Sequence, residues 1–600
     1  MRLMGSQSLV RGCRGFAAAV TGVCLVAAPA QVASAAQVAS AAQVASAAQV
    51  ASAARAPARV SGAAPVRFTV TTTADAHNAH PGSGRCADSA GRCTLRAAVE
   101  AADASPAGSH AIIVVPAGRY RLPLGSLAVG AGSAPKRITI NGAGPGHTVI
   151  SAGGAFRLMW VAAAASVVLD GLAITDGRAG PNQYGGGVLS RGSLTVANVL
   201  VAHNHAGAGG GLDNSGGSLV VTASRIEDNR ARFYGGGGIQ NGGLHNAPGS
   251  VLVVSSTITG NTSVSDDGGG IFSGQNGHPG LLGLAAAPPR PVCSARRCRR
   301  LPAVPGQTLT VVDSNISGNR GVEGGGISAQ GIAEVTGSVI DDNSAGGADG
   351  GGIWGVRSIT RSTISGNTAD TGGGVSSNPI LPLTITASTL DGNHAIAYGG
   401  AINDGGVVTV IRSTLARNTA GKQPGVGTGA AVEIEGSATL NVSDSTVADN
   451  TTEPAGGGAI DNFGGLAVLL FDTISGNSGS ITGTFYTKAT GTIFATATAA
   501  KNCEVPVHET AGFNLATDGS CGLSLPTDLT GADPKLGPLA GNGGPTSTQA
   551  LSRASPAVDA GGLPATSGCP QFDQRGKSRP WGPACDIGAF ELHYRVPAGR

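Results

Sequence analysis

Short runs of alternating apolar and polar residues, each closed by a glycine or an asparagine, recur along most of this chain. Ser362-Thr-Ile-Ser-Gly-Asn367 is followed by Gly372-Gly-Gly-Val375, and Ser314-Asn-Ile-Ser-Gly-Asn319 by Gly324-Gly-Gly-Ile327. The closing asparagines are Asn204, Asn229, Asn261, Asn319, Asn343, Asn367, Asn393, Asn418, Asn450 and Asn477, with a base spacing near 25 and occasional insertions. Runs such as Leu383-Thr-Ile385 and Thr389-Leu390 are too short for packing helices, and they suit short strands with one inward face. A fixed short period of this kind predicts coils stacked along one axis, paired in parallel at roughly 4.8 Å. The expectation is therefore an all-β, single-stranded right-handed parallel β-helix of about a dozen coils. A β-propeller would need blades of roughly 40–45 residues. The Gly-Gly-Gly corner tolerates positive φ and close backbone approach, and asparagine at one corner suits left-handed geometry and can stack as a hydrogen-bonded ladder.

The two ends depart from the repeat. Arg67 to Thr73 alternates and reads as a strand, and Ile112 to Val115 as a short buried one. Between them, Leu95, Ala98, Val99 and Ala102 lie at helical spacing within Cys93–Asp103. A short helix there would supply the polar-faced lid that a solenoid needs on its first rung. After about Thr498 the strands become sparse and turn-rich, as expected of a C-terminal cap. The expected organisation is an export signal over 1–30, a low-complexity spacer over 31–65 and an N-terminal cap over 66–135. The β-helix follows over 136–500, interrupted at 274–306, and then a C-terminal cap domain over 501–600.

Composition sharpens this reading. Glycine supplies 98 residues, apolar residues 41 %, charged residues 12 % and aromatic residues 4 %, which excludes both collagen and a disordered chain. A net charge of +3 gives no reason to expect a nucleic-acid partner. Arg2, Arg11 and Arg14 precede an apolar stretch from Gly15 to Ala28, and Ala28-Pro-Ala30 offers a cleavage site. A secreted, monomeric protein with no membrane span, free or at a cell surface, is the expectation. Gln-Val-Ala-Ser-Ala-Ala is then repeated four times over 31–54, as a flexible spacer would be. Proximity pairs the remaining cysteines as Cys86/Cys93, Cys293/Cys298, Cys503/Cys521 and Cys569/Cys585, although eight cysteines allow other connectivities. Metal binding is the rival use, but no C-x-x-C occurs, and no metal or other cofactor is expected.

Several stretches carry a resemblance. Cys93-Thr-Leu-Arg-Ala-Ala-Val99 with the Pro116-Ala-Gly118 turn is similar to the N-terminal module of secreted bacterial proteins named for a C-S-L-R-E-A motif, although Thr94 and Ala97 replace its Ser and Glu. Asp391-Gly-Asn393 and Gly399-Gly-Ala-Ile402 resemble repeats of polymorphic outer-membrane proteins. Gly512 to Glu591, with Asp573, Arg575, Arg579 and Asp586, is similar to the domain that precedes variable surface anchors. The resemblance implies a right-handed parallel β-helix at a surface or outside the cell, and no settled activity.

Chemistry is harder to find. A glycoside hydrolase needs two carboxylates roughly 5–10 Å apart. Asp266, Asp267, Asp341 and Asp342 are the catalytic candidates, yet the first pair follows its asparagine and the second precedes its own. Asp349, Asp404 and Asp461 also fall near corners, and His203 and His205 flank Asn204 beside a turn. Arg290, Arg296, Arg297, Arg299 and Arg300 crowd the interruption of the repeat, where they could contact a polyanion or could form a solvated loop. The expected function is an extracellular, adhesin-like scaffold without catalysis that binds a polysaccharide or another surface polymer. The alternative is a polysaccharide lyase or glycoside hydrolase acting on an acidic glycan.

Overall fold

The computed structural model describes residues 64–132, 134–242, 248–274, 306–421, 429–453, 457–483, 486–496 and 501–594. Within them the chain winds as a right-handed parallel β-helix, the hand that parallel crossovers almost always take. Its coils build parallel sheets of 16, 16, 9 and 13 strands, a longer stack than the dozen coils expected. One coil shows the plan: Leu383–Thr386 lies in the first sheet, Thr389–Asp391 in the second, His394–Tyr398 in the third and Ile402–Asp404 in the fourth. The chain then re-enters the first sheet at Val407–Ile411, in register with the coil before it.

The core consists of columns in which like residue stands on like. Ile316, Ile340, Ile364, Leu390 and Leu415 stack in the second sheet, and Val311, Val335, Ile359, Ile385 and Val410 in the first, all essentially buried. Alternation puts one residue of each strand into such a column, where each aliphatic side chain stabilises by about 1.5–3 kcal/mol.

The asparagine ladder is present. From Asn204 to Asn450, each asparagine donates from its backbone N–H to the Oδ1 of the asparagine one coil on, ending on Asn477, at 2.9–3.1 Å. Its Nδ2 reaches that same oxygen at 2.9–3.0 Å. The asparagine itself is not the left-handed residue, contrary to expectation. The residue before it takes positive φ, as at His203, Asp228, Asp342, Arg417 and Asp449 or at Gly318, Gly366 and Gly392. A kink there turns the asparagine inward, where its amide is buried.

A second ladder runs along the corner between the first and second sheets. Ser224, Ser256, Ser314, Ser338, Ser362, Ser388 and Ser413 each donate a backbone N–H to the hydroxyl of the next serine at 3.1–3.2 Å, ending on Ser445. Ser445 passes the pattern to the Asp472 carboxylate.

The glycine corners work in two ways. The first glycine of a triplet has positive φ, as at Gly324 (57°) and Gly350 (71°). The third is needed for space: a Cβ on Gly352 would lie 2.9 Å from the Asn367 side chain and 2.8 Å from the Gly374 carbonyl.

At the N-terminal end, helix α1 (Leu95–Asp103) lies over the first strands, with Leu95, Ala98, Val99 and Ala102 buried. Thr94 caps it, its hydroxyl accepting the Ala97 N–H at 3.0 Å. Arg96 forms a buried ion pair with Asp75 at 2.7 Å and donates to the Gly125 and Ser126 carbonyls. The flanking strands are Val66–Thr69 and His110–Val114.

At the other end, Glu509–Thr510, Leu515–Ala516 and Leu529–Thr530 continue the first and second sheets. Residues 534–594 then fold back onto the outward side of the second sheet. Gln574 bridges two coils, donating to Thr414 Oγ1 at 2.9 Å and accepting from Thr446 Oγ1 at 2.6 Å. The Ala589 N–H reaches Thr473 Oγ1 at 3.0 Å, and the Arg579 guanidinium sits over the Phe471 ring, 3.6 Å from Asp444. Arg575 pairs with Asp573, and the Glu591 carboxylate accepts the backbone N–H groups of Trp581 and Asp586, so these charges serve structure. Cys86–Cys93, Cys503–Cys521 and Cys569–Cys585 are disulfides, while Cys293 and Cys298 lie outside the described residues.

Candidate functional site

The second sheet offers outward columns whose character changes along the stack. Toward the C-terminal end they disappear beneath residues 534–594, with Thr414, Thr446 and Thr473 almost wholly buried. In the middle they are half-exposed Thr, Ser and Asp, as in Thr257–Thr259, Thr363–Ser365 and Thr389–Asp391. At the N-terminal end they carry Arg119 and Arg121, and across the corner the third-sheet column carries Arg178, His205 and Arg230.

There, successive coils line a pocket of about 670 Å³. Gly118–Arg121 contributes the exposed Arg119 and Arg121, in register with Val149 and Ser151 of the next coil. The following coil supplies Asp176 and Arg178, and the one after it His203 and His205. Asp176 and His203 hold the left-handed corner, with φ of 56° and 57°. Two residues on, the chain resumes extended pairing, and Arg178 bridges to His205. Gly153 lies under Arg121, for a Cβ there would come within 3.0 Å of the guanidinium.

Three arginines face one carboxylate, and that carboxylate is engaged. Asp176 accepts from the hydroxyls of Ser151 at 2.8 Å and Thr175 at 2.9 Å. Partial burial, then the charges of Arg178 and Arg230, holds the His205 imidazole below the usual histidine value. The cationic column continues beyond the pocket: Arg230 follows His205 in register, then Thr262 and Arg320. Arg178, Arg230 and Arg320 recur two coils apart in this column and match a polymer that carries repeated carboxylates.

The acidic residues singled out in the sequence do not assemble. Asp266 and Asp267 lie in the loop after Thr262–Ser263, and Asp341 and Asp342 end a second-sheet strand. Asp341 stands between Ser317 and Ser365 in register, so no carboxylate faces it from either neighbouring coil. Burial and then the charge of Asp342 raise its carboxyl above the ordinary value. Asp404 is buried on the fourth sheet, where Glu433 and Asp461 are buried in register on adjacent coils; burial raises all three carboxyls, and for Glu433 the charge of Asp461 adds to it. Arg290, Arg296, Arg297, Arg299 and Arg300 lie outside the described residues, as do 1–63. Among the described residues, no group of three His, Cys, Asp or Glu side chains is placed to hold a metal ion, and no helix is long and apolar enough to cross a membrane.

Sequence reading had treated His203 and His205 as turn residues and passed over Arg178. The coil of Arg178 carries Gly177 where later coils carry asparagine, so a count of asparagines begins after it. Aligning Asp176-Gly-Arg178 with His203-Asn-His205 and Asp228-Asn-Arg230 is the signal that stacks these cations.

No family model matches the chain. No curated protein matches it either. Among solved structures, ORF18 of Geobacillus virus E2 is similar at 11 % identity and a TM-score of 0.28, covering 58 % of this chain and 56 % of its own. The chain thus spans little more than half the length of that protein. Pectate lyase Pel9A matches at 13 % identity and a TM-score of 0.23, over 89 % of this chain and 98 % of its own. The A-module of the mannuronan C-5 epimerase AlgE6 of Azotobacter vinelandii matches at 13 % identity and a TM-score of 0.28, over 67 % and 94 %.

Proposed function

We propose that this protein is an extracellular, non-catalytic β-helix scaffold that binds an acidic polysaccharide through its N-terminal cationic wall. The observation that carries this reading is the open pocket in which Arg119, Arg121 and Arg178 outnumber a single, already hydrogen-bonded carboxylate. Three disulfides fit an oxidising compartment, and the likeness of residues 93–99 to a module of secreted surface proteins supports the same setting. Binding of polygalacturonate by the whole secreted chain, titrated against salt, tests it. Affinity is expected to fall at least about tenfold in an Arg121→Glu, Arg178→Glu variant, with a shallower salt dependence. Unchanged affinity in that variant would sink the reading.

One observation favours a second reading, a uronate lyase. His205 is a partly exposed histidine with a depressed basicity beside arginines, and so is a candidate base for the proton next to a neutralised carboxylate. In that reaction the C–H electrons form the new double bond and the glycosidic oxygen departs with a proton. Appearance of unsaturated, ultraviolet-absorbing product, lost in His205→Ala, would establish it over simple binding.

A further inference from the structure

The chain holds only six tyrosines, and two of them stand beside the cationic column. Tyr184 bridges to Ala208 in the next coil, whose N–H reaches the Gln183 carbonyl, and the Tyr234 N–H reaches the Gly207 carbonyl in the same way one coil further. Two coil steps separate the tyrosine backbones by roughly 9.6 Å. Yet the ring centroids are 6.2 Å apart and the planes are within 7° of parallel. The rings therefore lean toward each other above Ala208, whose methyl group is wholly buried and leaves the space between them free of a bulky side chain. Both tyrosines are half-buried, so part of each side chain is open to solvent. Next to it, Arg232 lies over the Phe233 ring at 5.0 Å. Only a few residues earlier in the same coils stand Arg178, His205 and Arg230.

We propose that Tyr184 and Tyr234 form a sugar-ring platform, and that the ligand of this wall is a uronic-acid polysaccharide, with pyranose rings packed on the tyrosines and carboxylates on Arg178 and Arg230. This rests on the reading that the wall binds an acidic polysaccharide, and it adds that the sugar rings themselves are recognised, by Tyr184 and Tyr234. Aromatic faces are electron-rich and flat, and they complement the C–H face of a pyranose. Arginine forks complement its carboxylate. A polyanion without rings, such as polyglutamate, would use the arginines alone.

The test compares polygalacturonate, polyglutamate and neutral galactan on the whole chain and three variants. Tyr184→Ala, Tyr234→Ala is expected to bind polygalacturonate about tenfold more weakly while its affinity for polyglutamate stays the same. Tyr184→Phe, Tyr234→Phe retains the ring faces and is expected to bind both as the parent does, which also guards against a fold defect. An equal loss for both polymers in the alanine variant, or no loss for either, would overturn the platform. The arginine reading fails separately. If Arg121→Glu, Arg178→Glu binds polygalacturonate normally while the alanine variant loses it or galactan, the tyrosines stand and the cationic site falls. Absence of binding to every polymer would remove both.

Discussion

Asn343 places its backbone N–H and its Nδ2 on a single oxygen, Oδ1 of Asn367, each at 3.0 Å. Asn367 in turn donates to the Ile340 carbonyl at 2.9 Å. Asn367→Ala strands two buried donors and one acceptor at once, and should lower the unfolding free energy by about 2–4 kcal/mol. Asn204, where the ladder starts, has an Oδ1 that accepts only the Gly177 N–H from the coil before, at 2.8 Å. Asn204→Ala should therefore cost less. Urea unfolding followed by circular dichroism ranks the two, and equal costs would argue against the ladder as the source.

Glycine 352 and glycine 392 separate two uses of the residue. Gly352→Ala forces a methyl against the Asn367 amide and the Gly374 carbonyl, and should cost about 1–3 kcal/mol. Gly392 has φ of 62° with open space around its missing Cβ, at the position Asp342 and Asp449 fill in other coils. Gly392→Asp adds no clash and should cost only the strain of a left-handed residue, about 1 kcal/mol. Thermal melting of the two variants reads the difference directly.

Stability should rise as pH falls from about 8 to about 5. Burial pushes Asp213 up to about 7 and Asp404 up to about 6. In the unfolded chain such carboxyls ionise near about 4. The folded state thus holds protons that the unfolded state gives up. Their contribution is whole below about pH 4 and is lost as pH climbs toward about 7. Asp213→Asn should flatten the dependence of the melting temperature on pH, and an unchanged slope would assign the effect elsewhere.

The Arg96–Asp75 pair should matter more through its breaking than its making. Both side chains are almost completely buried, and Arg96 also holds two carbonyls of the first coil. Arg96→Ala leaves Asp75 charged and enclosed, at a cost of about 3–5 kcal/mol. Hydrogen exchange should show faster opening of Val66–Thr69 and His110–Val114 first, since the loss is local to that end.

Features that recur were legible in the sequence, because repetition turns a weak local preference into a column. The asparagines, the glycine triplets and the inward aliphatic residues all announced themselves in this way. The helix over Leu95–Asp103 was legible for a different reason, its own apolar spacing. The serine ladder was hidden, since serine is common in turns and Ser314 or Ser338 looks ordinary alone. The two-residue strands of the third sheet, such as Ser344–Ala345, carry too little alternation to register. Nothing local tells Gln574 that its partners are Thr414 and Thr446, well over a hundred residues earlier. The cationic pocket was missed because its coils straddle the point where asparagine first enters the repeat.

Between Asn319, Asn343 and Asn367 the separation is 24 residues each time, and it is 24 again between Ser314, Ser338 and Ser362. The asparagine and serine bonds across these coils have the same donor and acceptor in the next. A gene that duplicated or deleted one such 24-residue unit would encode a chain whose asparagine and serine ladders run on unbroken. Only one distance would change: the span between the arginines at one end and the folded-back segment at the other would shift by a single strand spacing of about 4.8 Å. Reach along the wall is thus a property this lineage could vary in whole units while its ladders stay unaltered.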